Sequence, residues 1–291
     1  MVWRWTSRRL SRVVDGGGRC WVMAAEAGGG VAHKDQNSEG RGGQRRKNLY
    51  DSPKGRLRLE VLWGHMLDKL PELHYEGRPL AILDAGCGTG HVAARLAALG
   101  HQVTACDSSV RLIEQAQSYI NACCPEAQVS YVPAPFQTLL EQPQRYQLIT
   151  CHAVLEWLPD PGAAVQTLAA LLAPQGRLSL MFYNVNALIF KNLVRGNLYS
   201  SGSASTNMAA ASLAPGNPLD PLQVQHWLHG AGLTISARAG IRTFYDYMSE
   251  DDRRGRSIEE LIDMERLCST SEPFMGLGRY LHWICQHRSA A

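Results

Sequence analysis

The sequence predicts an α/β domain: a doubly wound, mostly parallel sheet with helices on both faces and an antiparallel closing strand. Three observations predict it. Short apolar runs alternate with segments of helical period from Leu80 to Tyr183, the pattern that yields parallel strands joined by crossover helices. A glycine cluster, Gly86, Gly88 and Gly90, separates the first run from the first of these helices, where the chain must turn tightly. Pro71 and Gly100 stand at the ends of helical patterns, where a missing N–H or a left-handed residue terminates a helix.

Taken in order, Leu57, Leu59, Leu62, Trp63, Met66, Leu67 and Leu70 recur at helical spacing up to Pro71. Leu80–Asp84 reads as the first strand and His91–Leu99 as the helix after it. Strands follow at His101–Cys106, Gln128–Val132, Tyr146–Cys151 and Arg177–Tyr183, with helices at Ser109–Ala122 and Gly162–Leu172 between them. Ala187–Arg195, Leu222–Leu228 and Ile258–Leu267 read as further helices. Leu233–Tyr247 contains an extended segment, and Tyr280–His287 is the closing strand. Tyr199–Leu219, rich in Ser, Ala, Gly and Pro and without period, reads as a mobile loop. One domain, 48–291, is expected behind a disordered extension, 1–47.

Composition narrows the class. The 291 residues are 45% apolar and 19% charged, too apolar for a disordered chain. Apolar runs such as Leu178–Tyr183 fall far short of the roughly 20 residues that span a bilayer. The net charge of +3 is uneven: residues 1–47 carry ten Lys or Arg against four acids, so the remainder is mildly acidic. A nucleic-acid partner must therefore be held by a local patch. The first fourteen residues are Arg-rich and acid-free, as in a transit peptide, but the favoured expectation is a start at Met23 or later. Eight cysteines without a CxxC pair point to a reducing compartment, the cytoplasm, and no metal site is expected.

The sharpest motif is Asp84-Ala-Gly86-Cys87-Gly88-Thr-Gly90, entered from a strand and left by a helix. Asp107 lies 23 residues past Asp84, at the end of the second strand, where a carboxylate accepts hydrogen bonds from a ribose. The third glycine falls one place too early for the dinucleotide fingerprint. GxGxG suits a nucleoside cofactor without phosphate, S-adenosylmethionine. Ligands of such sheets bind beyond the carboxyl ends of the strands. That places Phe136 to stack on adenine, Gln137 to bond its edge, and His152 beside the transferring methyl. Arg58, by pattern alone, reads as a solvated helix charge.

Several strings resemble one known family: Lys54-Gly-Arg-Leu-Arg58, Leu83-Asp-Ala-Gly86, His152-Ala-Val-Leu-Glu-Trp157, Leu178-Ser-Leu-Met-Phe-Tyr-Asn184, Gly240-Ile-Arg242 with Asp246-Tyr247, and Leu277-Gly-Arg279-Tyr280. The family is the bacterial tRNA 5-carboxymethoxyuridine methyltransferases, class I enzymes dependent on S-adenosylmethionine. The resemblance runs from about Asn48 to His287. It implies methylation of the carboxylate of 5-carboxymethoxyuridine at the tRNA wobble position. It also implies a cofactor held by Arg58, Gly86, Cys87, Asp107, Phe136, Gln137 and His152.

A carboxylate with a pKa near ~3.5 is already ionised at neutral pH, so the chemistry asks only for positioning and exclusion of water. An Arg fork or a Tyr hydroxyl suits that task, and Tyr183, Arg242, Tyr247 and Arg279 are the candidates. One departure stands out. The family carries lysines over the stretch that here is the uncharged Tyr199–Leu219. Arg253, Arg254 and Arg256, or Arg45, Arg46 and Lys47, are the alternative phosphate contacts. Two other functions fit the same motif: a methyltransferase acting on a small-molecule acid, and a non-catalytic cofactor-binding protein associated with RNA.

Overall fold

Helix boundaries follow side-chain caps. In the computed structural model, which describes residues 52–74, 78–197 and 217–288, Ser52 accepts from Gly55 N to open α1 (Pro53–Lys69). Asp160 and Asp220, each followed by proline at the first helical position, open α4 (Pro161–Leu171) and α6 (Pro221–Gly230). Ser257 and Glu260 form a reciprocal capping box at α8 (Ile258–Ser269). The remaining helices are α2 (His91–Ala98), α3 (Val110–Cys123), α5 (Val185–Val194) and the short α7 (Glu250–Arg254).

The strands are β1 (Ala81–Ala85), β2 (Gln102–Cys106), β3 (Val129–Val132), β4 (Tyr146–His152), β5 (Leu172–Tyr183), β6 (Leu233–Ile241) and β7 (Tyr280–His287). They form one sheet in the order β3-β2-β1-β4-β5-β7-β6. β1 pairs in parallel with β2 and β4, while β7 runs antiparallel between β5 and β6. The predicted architecture therefore holds, including the closing strand. Because β1 has β2 on one side and β4 on the other, the winding reverses there, and a crevice opens beyond the strand ends.

Alternate side chains of the strands feed two cores. One face carries Ile82, Val103, Leu148, Met181 and Ile284 against Leu57, Met66, Leu96 and Ile262. The other carries Leu83, Ile149, Leu178, Leu180 and Trp283 against Val165, Leu168, Val224 and Leu228. Each fully buried Leu or Ile contributes about 2 kcal/mol.

The differences from expectation are local. β5 begins at Leu172, five residues before Arg177, because the chain after α4 enters the ladder at once through Tyr146–Leu172 pairing. Leu219, assigned to the mobile loop, is instead buried and anchored: its N–H donates to Tyr183 O (2.8 Å) and its carbonyl accepts from Val185 N (3.1 Å). Positions 199–216 of that loop and the extension 1–47 lie outside the described residues. The described residues all belong to one compact unit, Gly40–Ala291. Among them, no helix is long and apolar enough to cross a membrane.

Candidate active site

Beyond the end of β1 the glycine loop folds tightly onto β2. Gly86 and Cys87 both donate to Cys106 O (2.8 and 3.0 Å). Gly86 has φ +75°, and a Cβ there would sit 2.4 Å from Val154. Gly88 has φ +57° and open space where its Cβ would point, so the backbone is left accessible for close approach of a ligand. Asp107 is half-buried. Its carboxylate accepts from Gly88 N (3.0 Å) and Ser109 N (2.9 Å), which fixes its orientation and leaves lone pairs on both oxygens for ligand hydroxyls.

The neighbouring strand end is strained. Ala153, directly after His152, has φ +59°; Arg242, at the end of β6, has φ +62°. These are the non-glycine residues with positive φ among those described, and both directly follow a strand end on the same side of the sheet, where such strain is used at functional sites. His152 donates to or accepts from Ser179 Oγ through Nε2 (2.8 Å), while its buried Nδ1 has no partner. Burial, then the nearby Arg58 charge, lowers its pKa to about 3, so the ring is neutral.

Two buried carboxyls escaped sequence reasoning as site residues. Glu156, within the His152–Trp157 string, is 2% exposed. Burial raises its pKa to about 7, opposed by main-chain hydrogen bonding and by Arg58. Asp84 accepts from Thr150 Oγ1 (2.7 Å) and is raised by burial to about 6. Carboxyls moved this far towards neutrality are characteristic of functional sites.

Arg58 corrects its solvated reading: it is 6% exposed. The second turn of α1, Leu57–Leu59, is buried, and Arg58 lies over the Tyr280 ring (5.5 Å). Tyr280 in turn tilts against Tyr183 (5.8 Å), over which Arg279 lies (4.8 Å). This chain of rings and guanidiniums leads from His152 to a second, cationic region. There Arg242 Nη2 makes a short, buried ion pair with Asp246. Arg242 Nε, Asp246 Oδ2 and the Tyr183 hydroxyl are buried without partners. Burial favours the neutral Asp246, but Arg242 and Arg279 more than offset it and hold the carboxyl below its ordinary range.

Two lysines complete this region and were missed. Lys54 at the rim and half-buried Lys191 on α5 both sense Asp246, Arg279 and each other or Arg242. Burial lowers Lys191 to about 8, against the pull of Asp246. Lys54 opened a quoted string, but nothing local distinguished it from a helix charge. The scaffold is specific: Glu265 of α8 accepts from Thr243 N and Oγ1, Phe244 N and Tyr245 N (2.6–3.2 Å), clamping the loop that carries Arg242 and Asp246. Asn184 donates to Gly276 O and Gly278 O (3.0 and 2.9 Å) and holds the segment bearing Arg279.

Three expectations need correction. Phe136 is 4% exposed and packed in the core cluster with Leu139 and Cys106, because its 3-10 turn faces the sheet, so its ring packs inward instead of standing in the loop. Gln137 beside it is exposed. Tyr247 donates its single proton to Leu277 O (2.8 Å), with Ala187 O at 3.3 Å, so it ties loops together and cannot donate to an acceptor. The Arg253–Arg256 cluster is countered by α7: Arg254 pairs with Glu250 and Asp251, and Arg253 lies over Tyr245. Arg45, Arg46 and Lys47 lie outside the described residues.

Comparison with known proteins agrees with this geometry. Residues 57–237 match the family described as "Methyltransferase domain". The chain is 37% identical over 239 residues to the tRNA 5-carboxymethoxyuridine methyltransferase of Escherichia coli K12, covering 81% of this chain and 90% of that one. It is 32% identical to the ubiquinone biosynthesis O-methyltransferase of Xanthomonas euvesicatoria pv. vesicatoria, over 55% of this chain and 65% of that one. The same fold is seen in magnesium protoporphyrin IX methyltransferase of Synechocystis PCC 6803, solved with bound S-adenosylhomocysteine (TM-score 0.52, 17% identity, 88% of this chain and 90% of that one). The chain belongs to the tRNA 5-carboxymethoxyuridine methyltransferase family, within the class I methyltransferases.

Proposed function

We propose that the protein uses S-adenosylmethionine to methylate the carboxylate of 5-carboxymethoxyuridine at the tRNA wobble position, giving the methyl ester. The observation that carries this reading is the cationic region itself: Arg242, Arg279, Lys54 and Lys191 surround one carboxylate, Asp246. A pocket with that excess of positive charge selects an anion. It is joined to His152 and Glu156 beyond β4 through Arg58, Tyr280 and Tyr183.

The residues at the β1–β4 crevice fit the cofactor. Asp107 would accept from the ribose hydroxyls, the open Gly88 backbone would allow close approach, and Arg58, Gly86, Cys87 and His152 would complete the cradle, with the Phe136–Gln137 turn at its edge. When bound, S-adenosylmethionine supplies an electrophilic methyl. The acceptor oxygen forms the new O–CH3 bond as the S–CH3 bond breaks, and the sulfur keeps the electron pair. Positive sulfonium and negative carboxylate are consumed together, so no proton moves and no general base is needed.

Arg242, Arg279 and the Tyr183 hydroxyl would orient the acceptor carboxylate. Asp246 balances Arg242. That balance matters because the carboxylate loses its charge in the reaction, and a grip that strengthened only the ground state would slow it. Lys54 and Lys191 would meet backbone phosphates of an anticodon loop and supply salt-dependent affinity. We further assign 48–291 to one methyltransferase domain, 1–47 to an extension of it, and the site of action to the cytoplasm, where tRNA is its partner.

The test is nucleoside analysis of tRNA from a strain lacking the gene. The methyl ester is expected to disappear while 5-carboxymethoxyuridine accumulates. An ester at its normal level would refute the reading.

A further inference from the structure

Four polar side chains form one hydrogen-bonded line through the core beneath α1. His65 Nδ1 meets His282 Nδ1 at 2.8 Å, His282 Nε2 meets Ser179 Oγ at 2.7 Å, and Ser179 Oγ meets His152 Nε2 at 2.8 Å. The sheet register builds it. His152 pairs with Met181, and Met181 pairs with His282, so three adjacent strands present neighbouring positions to one face. His65, His282 and Ser179 are each at most 5% exposed. The two ends of the line, His65 Nε2 and His152 Nδ1, are buried without partners. Nothing in the methyl-transfer chemistry above requires three of these four groups.

Burial lowers all three histidines, His65 to about 4, His152 to about 3 and His282 well below its ordinary value. Each ring is therefore neutral, with one donor and one acceptor nitrogen. The serine hydroxyl has one proton. Among the described residues Ser179 Oγ meets only these two rings, so its proton goes to one of them, and two arrangements then satisfy every link. In the first, His65 Nδ1–H donates to His282, whose Nε2–H donates to Ser179, whose hydroxyl donates to His152 Nε2; His152 then carries its proton on Nδ1. In the second every donor is reversed, and the unpaired N–H lies on His65 Nε2.

The two differ in where the orphaned donor sits. On His65 it is sealed between α1 and the sheet, where an unpaired N–H costs about 1–3 kcal/mol. On His152 it is buried too, but it stands at the carboxyl end of β4, the side of such a sheet on which ligands bind. The carboxylates of an acceptor and of a methionine moiety offer only acceptors. A neutral donor also adds no charge to oppose a sulfonium.

We propose that Ser179, His282 and His65 are positioning residues that hold His152 as its Nδ1–H tautomer, a neutral hydrogen-bond donor to the ligands of the methyl-transfer site. This rests on the reading of that crevice as a methyl-transfer site.

The test uses the full chain labelled with ¹⁵N-histidine and saturated with S-adenosylhomocysteine. Long-range ¹H–¹⁵N spectra are expected to show His152 and His65 as Nδ1–H tautomers and His282 as Nε2–H. His152 as Nε2–H or as imidazolium, or His65 and His152 in opposite tautomers, would overturn the proposal. Ser179→Ala is expected to mix the His152 tautomers and lower kcat on tRNA bearing 5-carboxymethoxyuridine about tenfold, the worth of one neutral hydrogen bond, with KM for tRNA unchanged; Ser179→Thr should restore both. An unaltered His152 spectrum and kcat in Ser179→Ala would also overturn it. Should Ser179→Ala fail to fold, His65→Phe breaks the line at its far end, and the same mixing is expected; an unchanged His152 spectrum contradicts the relay. If the wild type shows the predicted tautomers but no turnover on that tRNA, the substrate assignment fails and the relay stands.

Discussion

The proposed cofactor end and the proposed acceptor end of the site are built in opposite ways. At the cofactor end, contiguous chain does the work: Gly86 to Gly90 and Asp107 are fixed by main-chain bonds to Cys106, Gly88 and Ser109. At the acceptor end, Lys54, Tyr183, Lys191, Arg242, Asp246 and Arg279 come from five separate stretches of sequence. They meet only because Glu265 and Asn184 pin two loops to α8 and β5. The first design tolerates little local change; the second depends on remote anchors and on charge balance. One end binds by shape, the other by electrostatics.

The comparison can be broken most severely at Arg242. Arg242→Ala removes the ion-pair partner of buried Asp246 and leaves only Arg279 and the two lysines to offset its charge, which should cost about 3 kcal/mol of stability in chemical denaturation. The double variant Arg242→Leu/Asp246→Leu should regain most of that stability, since a buried ion pair is replaceable by apolar packing, yet not regain turnover. Recovery of both would mean that the pair is structural only.

At the other end, Asp107→Ala should weaken S-adenosylhomocysteine binding about 100-fold by calorimetry, because charge-assisted hydrogen bonds are at stake. Unchanged affinity would remove Asp107 from the cofactor cradle. The same substitution should leave the acceptor region's ion pairs intact.

Glu156 offers a smaller effect with a definite sign. Folding raises its pKa from 4.5 to about 7, so the folded state holds this proton more tightly than the unfolded chain. Wild-type stability is therefore lost as pH rises from about 4.5 through about 7. Glu156→Gln should melt higher than wild type near pH 8, with the advantage shrinking to nothing by about pH 4.5. A difference in Tm that does not change with pH would contradict the assignment. Smallest of all, Tyr247→Phe should cost no more than about 1 kcal/mol and leave cofactor affinity and kcat near wild type, since its hydroxyl serves the Leu277 carbonyl. A large fall in kcat alone would return Tyr247 to the acceptor site.

What could be read from the sequence follows the same division. Glycines before a helix and an acid after the next strand are local signals, so the loop and Asp107 were legible, as was the winding of the sheet. Arg58 was misread on pattern because its burial depends on which side of α1 meets the sheet, and seven apolar positions in that helix leave the facing side ambiguous. Phe136 was misplaced because a 3-10 turn rotated its ring into the core. Tyr247 looked available because its partners, the carbonyls of Leu277 and Ala187, are 30 and 60 residues away. Lys54, Lys191, Glu156 and Glu265 carried no local mark; their roles arise from burial and from charges brought together by the fold.

The most direct measurement of the central claim is reconstitution. The purified full chain is incubated with S-adenosylmethionine and tRNA carrying 5-carboxymethoxyuridine, and the nucleosides are analysed by mass spectrometry. Conversion of the wobble carboxylate to its methyl ester, sharply reduced in Arg242→Leu/Asp246→Leu, is the predicted result. Cofactor binding without ester formation on that tRNA would contradict the account.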